Sequence, residues 1–208
     1  MKLVVILASL VVALAEESPK SNPDWADERR FGQYQNSWKS LAQEETALYY
    51  LTKTTYEDDS LSWGKGFRCV VVKETEKSEK DKTVTSRFAF KNESSTPSGN
   101  IFQVEEKVKA VFFYQYNTNE NAIEYLVGDS TTSGEKYIDP LVYSDEVCDI
   151  FHVPYANNKK GGLELWVNGG HIDKIPKHCN FLLEYFGKEG TVYNKYSKDE
   201  CKEVGKNL

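Results

Sequence analysis

Beyond residue 46 the chain breaks into short runs of Val, Ile, Tyr, Phe and Thr that alternate with polar residues, separated by clusters of Gly, Asn, Asp, Ser and Lys. This is the spacing of an antiparallel meander. Eight runs fit, at 47–57, 66–74, 83–91, 101–116, 121–128, 135–143, 147–154 and 162–167. Helical patterns flank them. Over 22–45, Trp38, Leu41 and Ala42 recur at three- and four-residue steps, and Asp24 and Asp27 supply first-turn acids, which predicts a short N-terminal helix. After the last strand, Pro176 suits a first-turn position, and Phe181, Leu182, Tyr185 and Phe186 form an apolar stripe that Gly187 can terminate. A helix, eight consecutive strands and a C-terminal helix predict an all-β chain whose strands close into an up-and-down barrel with room for one small ligand. A two-sheet sandwich is the alternative. No fixed-period repeat and no long low-complexity linker divides the chain, so one domain is expected.

The N-terminus stands apart from this pattern. Lys2 is followed by an uncharged apolar run, 3–14, and Ala13 and Ala15 place small residues at the −3 and −1 positions of a cleavage site. Residues 1–15 therefore read as a secretory signal peptide and 16–208 as the mature domain. About a dozen apolar residues are too few to cross a ~30 Å hydrocarbon layer. Secretion changes the meaning of the four cysteines. Cys69, Cys148, Cys179 and Cys201 show neither C-x-x-C spacing nor a His at ligand distance in sequence, so two disulfides are expected rather than a metal site, with three pairings open. Asn92-Glu93-Ser94 is a glycosylation sequon. The 32 acidic against 26 basic residues, a net charge of −6, argue against a nucleic-acid partner, and 27 rings with a single Met suit sheet better than helix.

Strand alternation gives the acids a possible role. Residues two apart share a face. In 162–167 the pair Glu164 and Trp166 faces away from Leu163 and Leu165; in 147–154 Asp149 and Phe151 face away from Cys148 and Ile150; Tyr137 and Asp139 repeat the pairing, and Tyr125 alternates with Ile123. Pro140 marks an expected bulge or edge position. If the aliphatic face packs outward against the C-terminal helix, the lumen receives acids and rings together. Unpaired buried carboxylates are costly, so such a lumen calls for a cation, and an ammonium attached to an aromatic ring satisfies both kinds of wall. A solvent face carrying charges and an occasional ring produces the same alternation. Periodicity alone does not choose between them.

The residues that choose are spread along the whole chain. Pro23-Asp24-Trp25-Ala26-Asp27-Glu28, Trp38-Lys39-Ser40-Leu41, Tyr49-Tyr50, Thr55-Tyr56, Trp63-Gly64, Tyr143-Ser144-Asp145, Cys148-Asp149 and Glu164-Leu165-Trp166 together resemble the tick salivary histamine-binding lipocalins. The resemblance implies an eight-stranded antiparallel lipocalin barrel, disulfides joining Cys69 to Cys201 and Cys148 to Cys179, and two internal amine sites. A first site would use Asp59 and Glu106 as the charged partners, with Ser40, Tyr56, Trp63 and Tyr137 around them. A second would draw on Asp149 and Glu164 with Glu44, Ile123, Tyr125 and Trp166, and Asp139 would lie between the two. The chain departs from the family's histamine-only pattern at Glu44 in place of Asp, Ile123 in place of Phe, Tyr137 in place of Phe, and an extra Ser60. Ile123 removes ring volume, from which a larger amine such as serotonin is expected at the second site. The function implied is stoichiometric scavenging of host amines by a secreted monomer, damping inflammation, with no cofactor, metal, nucleic acid or membrane involved.

An enzyme is the competing class. His152, His171 and His178 show no H-E-x-x-H spacing, no G-x-S-x-G elbow occurs, and Glu105 and Glu106 point to opposite faces of a strand. Catalysis is not expected, and His152 should face outward. A carrier of lipid mediators or an inhibitor of a host protein is the other alternative, although a carboxylate ligand would meet repelling acids in this lumen. The loop 157–161 and the run 73–82 read as solvated turns.

Overall fold

A computed structural model describes residues 22–44, 46–96, 99–127, 135–188 and 190–208. The expected leader, together with Glu45 and Gly128 at two expected element ends, lies outside these residues. Eight antiparallel strands follow one another around a closed barrel: β1 Tyr49–Thr54, β2 Arg68–Ser78, β3 Thr83–Lys91, β4 Phe102–Val111, β5 Ala122–Val127, β6 Glu135–Ser144, β7 Cys148–Val153 and β8 Gly162–Asn168. β8 returns to β1, and β1 closes the circle on β2. The closing contact is short. Only Tyr49 and Tyr50 of β1 meet Val72 and Val71 of β2, after which the same edge, at Lys53 and Thr54, is taken by a two-residue strand β9, Tyr193–Asn194.

Alternation separates an inner from an outer layer as the pattern predicts. Inside lie Tyr49, Leu51, Phe67, Val70, Val72, Leu141, Phe151 and Trp166. Outside, Ile150, Leu163, Leu165 and Val167 pack against Cys179 and Leu183 of helix α4, Lys177–Gly187, which Pro176 precedes. The irregularity expected at Pro140 falls one step on, between Leu141 and Tyr143.

Three features differ from the sequence pattern. The N-terminal segment forms two short helices, α1 Glu28–Phe31 and α2 Ser37–Leu41, joined by a 3-10 turn, Gly32–Tyr34. The break is held by Gln35, fully buried, whose amide donates to the carbonyls of Trp25 and Val142 at 2.9 Å each and accepts from the Tyr116 hydroxyl at 2.6 Å. Asn36 then caps α2 by accepting from the Lys39 N–H at 2.8 Å. Secondly, a single turn, α3 Ala156–Lys159, connects β7 to β8 with Asn157 and Asn158 at positive φ, where Asn is tolerated. Thirdly, a last helix, α5 Lys198–Gly205, follows β9 and packs Cys201 and Val204 against Tyr50, Val71 and Ala89 on the outer wall.

Two disulfides tie these helices on: Cys69 to Cys201 and Cys148 to Cys179. Their sequence separations of 132 and 31 residues correspond to loop-closure contributions of about 5 and about 4 kcal/mol. The barrel's two ends differ. The connections 55–67 and 154–161 emerge at one, the loop end; α2 lies at the other, the helix end, with Trp38 and Leu41 packed on Val84, Val108 and Ala110.

Candidate functional site

The barrel encloses a cavity of about 90 Å³ whose wall carries Glu74, Glu106, Asp139, Asp149 and Glu164. Trp63, Phe88, Phe151, Tyr155 and Trp166 supply rings, and among the described residues no Lys or Arg lines it.

At the loop end the acids are met by aromatic donors. β8 turns Glu164 inward; the Tyr56 hydroxyl donates to its Oε1 and the Trp166 indole N–H to its Oε2 at 2.9 Å. Tyr56 itself lies against Gly162, where a Cβ would come within 2.4 Å of the Tyr56 ring, so only glycine leaves room for this arrangement. On β6, Asp139 Oδ2 accepts from the Tyr125 hydroxyl at 2.7 Å, and that hydroxyl shares a hydrogen bond with Tyr155. Asp59 sits in the turn after Tyr56, its Oδ1 accepting from the N–H groups of Leu61 and Ser62 at 2.7 and 3.0 Å. The second oxygens, Asp59 Oδ2 and Asp139 Oδ1, are buried and have no partner. Burial raises the carboxyl pKa of Asp139 and Asp59, and pushes that of Glu164 up to about 7. Lys195 is buried nearby, its Nζ 3.7 Å over the Phe67 ring, and its charge partly offsets the rise at Asp59.

Toward the helix end the donors are serines. Glu74 of β2, Ser86 of β3 and Glu106 of β4 stand opposite one another in register and form a row across three strands. Ser86 donates to Glu74 at 2.6 Å. Asp149, at the start of β7, is 4% exposed and has the Ser144 and Ser40 hydroxyls beside it, yet its Oδ1 has no partner. Burial raises Asp149 and Glu106 to about 7 and Glu74 to about 8.

The residues singled out from the sequence are thus distributed as follows. Ser40, Trp63, Glu106, Ile123, Tyr125, Asp139, Asp149, Glu164 and Trp166 line the cavity. Tyr56 is buried behind Glu164, and Asp59 stands just outside the wall, close enough for its charge to act on Glu164 and Asp139. Tyr137 is half-buried at the rim, its ring 4.9 Å from Tyr155 and its hydroxyl donating to Glu135. Glu44 is exposed and lines a surface cleft with Tyr34 and Asp145. Asp59 and Glu106, one set in the resemblance, lie in different surroundings: Asp59 with Tyr56, Glu164 and Asp139, Glu106 with Ser86. Asn92 donates its amide to the Trp63 carbonyl at 3.0 Å, so the sequon residue also braces a cavity ring.

Sequence reasoning passed over Glu74, Ser86 and Tyr155. The run 73–82 is not the solvated turn it resembles: its first half continues β2, and only 79–82 turns. The signal for Glu74 was present, since Val70, Val72 and Glu74 share one face of a strand. His152 lies on the outer wall against Trp25. The grouping of Cys148, His178 and Cys179 offers no thiolate ligands, because its sulfurs belong to a disulfide.

The model of the family described as tick histamine binding protein matches residues 25–203. The chain is similar to the male-specific histamine-binding salivary protein of Rhipicephalus appendiculatus, at 37% identity over 95% of this chain and 96% of that one. It is also similar to the female-specific histamine-binding protein 1 of the same tick, at 35% identity over 93% and 97%. Among solved structures it matches Japanin from Rhipicephalus appendiculatus bound to cholesterol, with a TM-score of 0.53 and 13% identity over 76% of this chain and 97% of the other; this likeness concerns the fold.

Proposed function

Since the chain belongs to the tick histamine-binding protein family, we propose that it is a secreted scavenger that holds protonated histamine inside the barrel and does no chemistry on it. One observation carries this reading: a cavity inside the barrel in which, among the described residues, carboxylates outnumber lysines and arginines five to none along the wall, with buried carboxylate oxygens left without a donor. An ammonium provides the missing donors and the missing charge, while Trp63, Trp166 and Tyr155 provide faces for a ring. Charge-assisted hydrogen bonds of this kind are about twice as strong as neutral ones. Acids whose pKa burial raises to about 7 are about half protonated near neutrality, and a cation displaces those protons, so capture releases protons to solvent.

Two amine positions belong to the proposal. The first is at the loop end, against Asp59, Glu164 and Asp139; the second is at the helix end, against Asp149 and Glu106, where Ile123 in place of a ring leaves space for serotonin. Scavenging of this kind depends on abundance and affinity rather than turnover. It fits a monomeric extracellular protein carrying a removed leader, with or without sugar on Asn92, that lowers free amine at host receptors and so blunts inflammation. Calorimetric titration with histamine in two buffers of different ionisation enthalpy tests it. Saturable binding with net proton release is expected. Absence of saturable histamine binding would refute the function, and a single histamine site with no serotonin binding would remove the second position.

A further inference from the structure

The helix end of the cavity holds a carboxylate that the family pattern did not point to. Glu74 lies on the inner face of β2, directly opposite Ser86, which is in turn directly opposite Glu106, so the two glutamates flank one serine. Their backbones are two strand spacings apart, about 10 Å. Asp149 lines the same region of the cavity, and its charge acts on Glu74. Its Oδ1 is buried and has no hydrogen-bond partner.

Resting on the reading of this cavity as an amine site, we propose that Glu74 contacts ligand, and that Glu74, Glu106 and Asp149 together favour an amine with two positive charges, the chemistry of an aliphatic α,ω-diamine, over an amine with one. The argument is one of donor supply. At the loop end Glu164 and Asp139 are served by Tyr56, Trp166 and Tyr125, neutral donors that disperse much of a carboxylate's charge. At the helix end Glu74 has one hydroxyl, from Ser86, and burial alone acts on Glu106. Lys77 is near enough for its charge to reach Glu74, but it does not line the cavity. A single ammonium meets one of the three acids and leaves the others to be neutralised by protons rather than by a cationic partner. A second ammonium on the same ligand meets a second carboxylate without the entropic cost of a second binding event. Val108, Leu41 and Ala47 on the wall suit the methylene chain between the two charges.

The test is calorimetric titration of the whole secreted protein with 1,4-diaminobutane, n-butylamine and histamine. The diamine is expected to bind at least tenfold more tightly than butylamine. Glu74→Gln is expected to bring that ratio within threefold, and Glu106→Gln is expected to bring it within threefold independently of how well the first variant folds. Equal affinities for diamine and monoamine in the unaltered protein would overturn the proposal. So would a ratio unchanged by Glu74→Gln in a protein that keeps its thermal midpoint. Loss of all histamine binding alongside a persistent diamine preference would instead refute histamine as the ligand and support this site.

Discussion

The two ends of the cavity solve one electrostatic problem with different materials. At the loop end, Glu164 and Asp139 are hydrogen-bonded by tyrosine and tryptophan side chains that are themselves locked in the core, with Tyr56 2% exposed and Tyr125 7%. At the helix end, Glu74, Glu106 and Asp149 depend on serine hydroxyls. Large ring donors are fixed by packing and present a preformed pocket, whereas a serine offers one small hydroxyl whose hydrogen can turn and leaves more of the compensation to whatever enters. The loop end is accordingly expected to discriminate by shape and the helix end by charge.

The largest effect should come from removing a loop-end carboxylate. Glu164→Gln leaves Tyr56 and Trp166 in place but removes the charge they surround; truncating one member of a buried charge pair costs about 2–5 kcal/mol, so histamine affinity should fall about 30-fold or more by calorimetry. Asp59→Asn and Glu106→Gln combined should add as independent losses, because the two acids sit in different groups. A strong non-additive coupling between them would erase the distinction between the ends.

Acidity gives the next effect. Folded-state pKa values of about 7 for Glu164, Asp149 and Glu106 and about 8 for Glu74 lie above the ordinary 3.8–4.5, so the empty folded protein holds protons that the unfolded chain has released. The stability these protonated acids contribute is complete below about pH 4 and is lost as pH rises through 7 to 8. Amine affinity runs the opposite way, rising about tenfold between pH 6 and 8 for each acid that must ionise, and then levelling off. Thermal midpoints of empty and loaded protein across this range check both signs: the gap between them should widen with pH.

Smaller effects should follow from the supporting hydroxyls. Tyr125→Phe removes the bond to Asp139, worth about 0.5–1.5 kcal/mol, and should weaken histamine binding twofold to tenfold without altering the diamine preference. The smallest is Glu105→Gln. Glu105 is the chain neighbour of Glu106 but faces solvent and pairs with Arg87 at 2.7 Å; losing an exposed pair changes stability by at most about 1 kcal/mol and should leave amine affinity unchanged.

The barrel was legible because alternation is a physical consequence of the pleat. All eight runs became strands, and β3 coincides with its expected range. Glu164 and Trp166 were placed on one face by the same rule. The remainder was hidden for local reasons. β9 and α5 contain too few apolar residues to show a period; the apolar side chains that α5 buries are Cys201 and Val204. Glu74 sits in a charged run interrupted by a bulge between Thr75 and Ser78, with Glu76 at positive φ, which disguises the strand as a turn. Tyr155 follows a proline in a connection, and only the closed barrel brings it over Tyr125.

The seam where β1 leaves β2 bears on how concentrated such a protein can become. Left uncapped, the backbone at Lys53 and Thr54 would offer a free edge for pairing with a neighbouring chain. β9 caps that edge, and its neighbour Lys195 is stitched by main-chain bonds to Cys69 and Thr52, next to the Cys69–Cys201 link. Reducing that link would free the tail and expose the edge to intermolecular strand pairing. The cystine therefore guards shelf life as much as fold, and confines this architecture to fluids that keep it oxidised.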